Sequence, residues 1–173
     1  MHTVQESLTT VSEGTDEMKN NYEITSKECV EDALHASPFA VLSTEGDGQP
    51  HASLIAITPT EGCRRLIFAT YRDTRKYRNL LDNSRVAVFI DGREGAASDP
   101  REGFVLTALG RAEEIGSAEQ EAARRAHLER HPDLESFLGS ADCALFGIMV
   151  GAYQIVRGID DVRWWSIDDS SAI

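Results

Sequence analysis

Short β-prone runs, each closed by a turn signal, constrain this chain more than any other feature. Phe39-Ala40-Val41-Leu42-Ser43-Thr44 and His51-Ala52-Ser53-Leu54-Ile55-Ala56-Ile57 flank the glycine-rich stretch Glu45-Gly46-Asp47-Gly48-Gln49, which is the pattern of a hairpin. Further runs follow at residues 65–70, 85–90, 103–113, 142–156 and 162–167. Strands this short, joined mostly by turns, favour a closed or partly closed antiparallel barrel over a parallel sheet. The expected fold is mainly β (α+β), a barrel of six or seven strands with a few inserted helices. Gly147 and Gly151 interrupt the 142–156 run and are expected to mark bends or bulges in a curved sheet.

Three segments read as helices. Thr25-Ser26-Lys27-Glu28 fits a capping box, so a helix is expected from there to about His35, stopped by Pro38. A second is expected over 74–81. The third covers 117–130, where Ala, Glu and Arg dominate, and Pro132 ends it. Residues 1–21 are polar and acidic and read as a disordered tail, leaving 22–173 as a single domain. At 41% hydrophobic residues, a domain of this size buries a core without covalent or metal staples.

Charge and cysteine usage narrow the functional classes. Seventeen basic against twenty-nine acidic residues give a net charge of −12, which opposes binding to nucleic acid or anionic lipid over most of the surface. No apolar run approaches the roughly 20 residues that span a bilayer, and the amino end lacks the features of a secretory signal. Cys29, Cys63 and Cys143 are odd in number and widely spaced, so neither a disulfide framework nor a thiolate zinc site is indicated. A reducing cytoplasm is the expected compartment. The usual hydrolase elbow, P-loop and dinucleotide fingerprints are missing.

Against this acidic background, Arg64, Arg65, Arg72, Arg75, Lys76 and Arg78 crowd into fifteen positions with the single acid Asp73. Within that island, Leu66-Ile67-Phe68-Ala69-Thr70-Tyr71-Arg72-Asp73-Thr74-Arg75-Lys76 carries an apolar strand into hydroxyls and then into adjacent cations at a helix start. A phosphate is well served by such a set: hydroxyls of Thr70 and Thr74, free first-turn amides, the guanidinium of Arg75 and the ammonium of Lys76. The same residues also allow a plainer arrangement in which Thr74 only caps the helix and the cations face solvent.

The order of motifs resembles the pyridoxamine 5′-phosphate oxidase-like, FMN-binding split-barrel superfamily. That family has a hairpin of the form G-x-P-x-x-S, here Gly48-Gln49-Pro50-His51-Ala52-Ser53, followed by T-x-x-x-[ST]-R-K, here Thr70-Tyr71-Arg72-Asp73-Thr74-Arg75-Lys76. The likeness continues through 79–88 and 106–113. It implies that Thr74, Arg75 and Lys76 hold the FMN phosphate, that the flavin ring lies along Ala52, Ser53, Leu54 and Ile55, and that Thr70 and Tyr71 flank it. It also implies a homodimer with the cofactor at the subunit interface, to which Trp164 or Arg163 of the last strand contributes from the second copy.

The activity implied is a flavin-dependent oxidation or reduction of a small molecule, the flavin supplying the chemistry. The alternatives are a non-catalytic binder and a deazaflavin in place of FMN. Haem enters as a further ligand because His127-Leu128-Glu129-Arg130-His131-Pro132, with Phe137-Leu138, resembles the inserted helix of haem-handling relatives. The end of the chain departs from true pyridoxamine-phosphate oxidases: Trp164-Trp165-Ser166-Ile167-Asp168-Asp169 is acidic where those enzymes carry arginine and histidine, which argues against vitamin B6 oxidation. His127 and His131 stand at the spacing of a two-histidine metal pair, but no third ligand is near in sequence, so both are expected at the surface or at a helix end. His51 alternates with Ser53 and Ile55, which leaves it either within reach of the ring or, as for most lone histidines, in packing or at the surface.

Overall fold

The computed structural model of the protein describes residues 27–92, 104–157 and 161–167. The expected tail at 1–21 and the Thr25 cap lie outside the described residues.

Residues 27–36 form helix α1. Strands β1 (Phe39–Gly46) and β2 (Gln49–Ala56) follow as the expected hairpin. Its two turn residues, Asp47 and Gly48, both take positive φ, as the favoured two-residue hairpin turn requires. Then come β3 (Thr58–Pro59), a 3-10 turn (Glu61–Cys63), β4 (Arg65–Tyr71), α2 (Arg75–Asp82), β5 (Arg85–Asp91), β6 (Phe104–Glu114), α3 (Ser117–Arg130), a second 3-10 turn (Pro132–Leu134), α4 (Glu135–Leu138), β7 (Cys143–Arg157) and β8 (Asp161–Ser166).

All the strands belong to one antiparallel sheet in the order β2-β1-β5-β6-β7-β4-β3, with β8 added to β7. The two ends of that order, β2 and β3, are consecutive in the chain and separated by Ile57 alone. A sheet whose first and last strands share a one-residue link has to curl until they meet. It does so without a ladder between β2 and β4, although these strands come into contact. The result is the split barrel expected from the sequence, with eight strands among the described residues where six or seven were read. The additional one is β3, two residues long and including a proline, too short to carry a periodic signal.

The core follows from strand alternation. Leu42, Phe68, Phe146, Tyr153 and Ile155 fill the barrel, with Phe68 stacked on Phe146 at 5.4 Å between ring centroids. Tyr153 is fully buried; its hydroxyl donates to the Cys63 carbonyl at 2.8 Å, and burial pushes its ionisation far above the ordinary phenol range. A second cluster, including Ile67, Leu145 and Leu138, seals α3 and α4 against the outside of β4 and β7. Among the described residues no helix is long and apolar enough to cross a membrane.

The 15-residue β7 is the spine of the sheet, pairing with β4, β6 and β8. Its register against β6 shifts at Leu109/Gly110, leaving Gly151 as the extra residue of a bulge, while Gly147 stays in register with both neighbours. Next to the bulge the two backbones come unusually close: a Cβ on Gly110 would lie 2.3 Å from the Met149 carbonyl oxygen. Gly110→Ala is therefore expected to cost roughly 1–3 kcal/mol. An unchanged urea-unfolding midpoint would show that the bulge yields freely.

Candidate functional site

The open seam of the barrel is where the polar chemistry gathers. Ile57 and Thr58 lie between the hairpin and β4, and the end of α3 grips both. His131 Nε2 donates to the Ile57 carbonyl at 2.9 Å, and His127 Nδ1 meets the Thr58 hydroxyl at 2.8 Å. One residue earlier, the Arg130 guanidinium donates to three carbonyls at the end of α1 and just beyond, those of Leu34, His35 and Ser37, at 2.7, 3.1 and 3.2 Å. These carbonyls are the orphans that a helix end always leaves.

Both histidines lie at the end of α3, the helix-end alternative read from the sequence, but they are buried, His127 completely, so the surface alternative is corrected. They share a helix face, ring centroids 4.8 Å apart. Their burial has a physical reason: the Ile57 carbonyl and the Thr58 hydroxyl, both at the seam, are polar groups that need partners, and the two histidines supply them. Among the described residues no cluster of three or more candidate ligands offers a metal site.

Beside this clamp lies a cavity of about 280 Å³. Phe39, Leu54, Tyr71, Leu134 and Phe137 form apolar walls, Ile55 and His127 lie deeper, and Thr70, Thr74 and Lys76 supply a polar end. Tyr71 packs edge-on against Phe137 at 4.6 Å.

The polar end is built by the start of α2. Thr74 is the N-cap: its hydroxyl accepts from the Tyr77 amide at 3.3 Å and donates to the Tyr71 carbonyl at 2.8 Å. The buried Thr70 hydroxyl meets that of Thr74 at 2.9 Å, either oxygen being able to donate, and also approaches the Tyr71 carbonyl at 3.4 Å. The next amides, of Arg75 and Lys76, belong to the first helical turn, where amides lack intrahelical partners. Lys76 is half buried, and burial lowers its ammonium pKa.

The basic island is less uniform than its sequence suggests. Arg72 is held by the Glu114 carboxylate, one contact being 3.1 Å, and also reaches the Tyr77 hydroxyl. Arg65 pairs with Glu119 at 2.7 Å, and Arg78 donates to the Asp73 carbonyl. Neither Arg75 nor Lys76 forms an ion pair with a carboxylate of the described residues. Arg75 and Lys76 therefore put uncompensated positive charge on the first turn of α2.

Of the residues singled out from the sequence, Leu54, Ile55, Thr70, Tyr71, Thr74 and Lys76 line the cavity together. Arg75 is exposed on the first turn of α2 and does not line it; Ala52 and Ser53 lie further back along β2. Ser53 Oγ is buried without a hydrogen-bond partner among the described residues. His51 lies near the hairpin turn, opposite Thr44. Trp164 is on β8 opposite Gln154 and 51% exposed, away from the cavity lining of its own chain. Phe39, His127, Leu134 and Phe137 were not read as site residues. Leu134 and Phe137 belong to the segment around His131-Pro132 that resembles the inserted helix of haem-handling relatives, His127 carried only its spacing to His131 and that resemblance, and Phe39 only its place in a β-prone run.

The chain belongs to the pyridoxamine 5′-phosphate oxidase family, whose sequence model matches residues 26–142. No curated protein matches it. Among solved structures it is similar to a heme binding protein from Mycobacterium smegmatis, at 24% identity over 81% of this chain with a TM-score of 0.70; the chain spans 57% of that protein's length. It is also similar to General Stress Protein 26 from Bacillus anthracis, at 17% identity over 82% of this chain and 98% of that one, TM-score 0.65. A Clostridium acetobutylicum protein related to general stress protein 26, of the pyridoxinephosphate oxidase family, matches at 18% identity over 86% and 96%, TM-score 0.62. At these identities the likeness to solved structures concerns the fold.

The buried clamp makes a pH prediction. Desolvation first, then the charges of His131 and Arg130, hold the His127 pKa down at about 4. An unfolded imidazole takes up its proton near 6.5. Stability should accordingly be independent of this group above about pH 6.5 and fall by about 3 kcal/mol as pH drops toward 4. In urea melts at pH 7.5, 5.5 and 4.5, His127→Gln should lose that part of the acid slope; an identical slope would mean that His127 is already protonated in the fold.

Proposed function

We propose that the protein binds FMN in the seam cavity and acts as a flavin-dependent oxidoreductase on a small molecule. The observation carrying this reading is the pairing, at one end of an apolar cavity, of the half-buried Lys76 with the linked hydroxyls of Thr70 and Thr74 at a helix start. Neither Lys76 nor its neighbour Arg75 has a carboxylate partner among the described residues. A dianionic phosphate supplies what these groups lack, and charge-assisted hydrogen bonds of this kind contribute roughly 1.5–3 kcal/mol each. Arg75, exposed beside them, closes over the phosphate from the solvent side.

The remaining residues suit the ring. Leu54, Ile55 and Tyr71 offer an apolar bed. Bound FMN would supply hydride or electron transfer, so no nucleophile is required of the protein. The protein's share is to fix the ring, exclude water and hold the phosphate.

At about 280 Å³ the cavity of one chain falls just short of the roughly 300–1,000 Å³ usual for cofactor-sized sites. Its mouth is edged by Leu54, 68% exposed, and Phe39, 54% exposed. A homodimer resolves both features if β8 of a second copy, with its exposed Trp164, covers the mouth and completes the wall.

Haem is the second reading, favoured by the similarity to the heme binding protein. Against it, the histidine lining the cavity is His127, which is fully buried with Nδ1 bonded to Thr58. Its Nε2 is buried without a hydrogen-bond partner among the described residues, so haem would have to bring iron to that one nitrogen while Nδ1 keeps its bond to Thr58.

Titration of the purified chain with FMN, followed by flavin fluorescence, tests the proposal. Saturable quenching is expected, weakened about a hundredfold in Arg75→Ala/Lys76→Ala with the far-ultraviolet circular dichroism unchanged. Equal affinity in that variant would remove the phosphate site. Bleaching of the bound flavin by NADH or NADPH is expected of the enzyme, and its absence would leave a binding protein.

A further inference from the structure

The outer face of the sheet carries a row of side chains that strand pairing alone does not account for. Arg85 of β5 stands directly opposite Arg111 of β6, and Arg111 opposite Met149 of β7. Like charges facing each other across strands, with Cβ atoms roughly 5 Å apart, repel. Among the described residues, Arg85 Nε reaches only the Asn83 side-chain oxygen, at 3.3 Å, and Arg111 only the Ser84 hydroxyl, at 3.5 Å. Neither forms an ion pair with a carboxylate of the described residues. Glu45, which feels the charge of Arg85 as the smallest of its influences, directs its carboxylate to Asn83 and the Gly48 amide instead.

Beside the two guanidinium groups opens a cavity of about 700 Å³ whose lining includes Leu109, Met149, Val150 and Ile167. Leu109 is 38% and Met149 49% exposed, so this is apolar surface facing solvent. The backbone itself makes the room: the bulge at Gly151 bends β7, and Gly110 lies flat against Met149 with no space for a side chain. The lining contains aliphatic residues, a methionine and arginines, but no aromatic ring.

The geometry points to a second binding site, for an aliphatic carboxylate: its head is shared by the forks of Arg85 and Arg111, and its chain lies along Leu109, Met149 and Ile167. A planar carboxylate matches guanidinium geometry and turns the repulsion between the two arginines into joint attraction. An aliphatic wall without rings suits a hydrocarbon chain rather than a stacked heterocycle. None of these residues lines the seam cavity, so this site stands or falls separately from the flavin reading.

Isothermal titration of the full chain with dodecanoate, kept below its micellar concentration, is the test. One molecule per chain is expected to bind saturably, with methyl dodecanoate, which lacks the charge, about tenfold weaker or worse. Arg85→Gln/Arg111→Gln should weaken dodecanoate about tenfold or more without lowering the thermal midpoint, since a repulsion is removed, and Lys76→Ala should leave it unchanged. The site is refuted by the absence of saturable binding, by equal affinity for acid and ester, or by indifference to the double substitution. It is equally refuted if Met149→Glu converts a dimer into a monomer in sedimentation, because a second copy would then cover this face.

Discussion

The structure depends on how the sheet is closed at Ile57. A barrel that completed its ladder would satisfy the backbone there strand to strand; this one stops short, and the Ile57 carbonyl and Thr58 hydroxyl turn to the side chains of α3 instead. Arg130 extends the same grip to the end of α1. Three consecutive-turn side chains of one helix thus hold together the first helix, the hairpin and the short returning strand. Unpaired buried backbone groups are costly enough that this polar clamp is as much a part of the core as the stacked Phe68 and Phe146.

The gap left by incomplete closure is also the cavity. Its walls come from the hairpin, from β4 and from the segment after α3, and its polar end comes from the start of α2. Electrostatics inside the gap differ from those of the molecule as a whole. The chain carries a net charge of −12, yet Glu114 and Glu119 neutralise Arg72 and Arg65 and leave the helix start cationic. Selective neutralisation of this kind makes a local anion site compatible with an acidic surface.

Much of the fold was legible because it is written locally. Alternation and turn residues placed β4, β5, β6, β7 and β8 to within a residue or so, and Pro132 marked the end of α3. What escaped was set by contacts distant in sequence. β3 is a strand only because closure brings Thr58 and Pro59 alongside Ile67 and Leu66. The face of α3 that turns inward is invisible in a helix rich in Ala, Glu and Arg, so the burial of His127 and His131 could not be read, although a helix end was one of the two places expected for them. In the candidate site, Thr70, Thr74 and Lys76 were readable because they lie within one turn of chain, whereas Phe39 and Phe137 come from opposite ends of the domain and share no pattern.

The one-residue connection between β2 and β3 has a consequence for how this sequence can vary. Side chains alternate faces along an extended chain, so adding or deleting a single residue at position 57 would reverse inside and outside for everything on one side of it. Elsewhere a lengthened connection shifts only its own tip. Here the number of residues is itself specified, and related chains should tolerate exchange of the side chain at this point far more readily than any change in spacing.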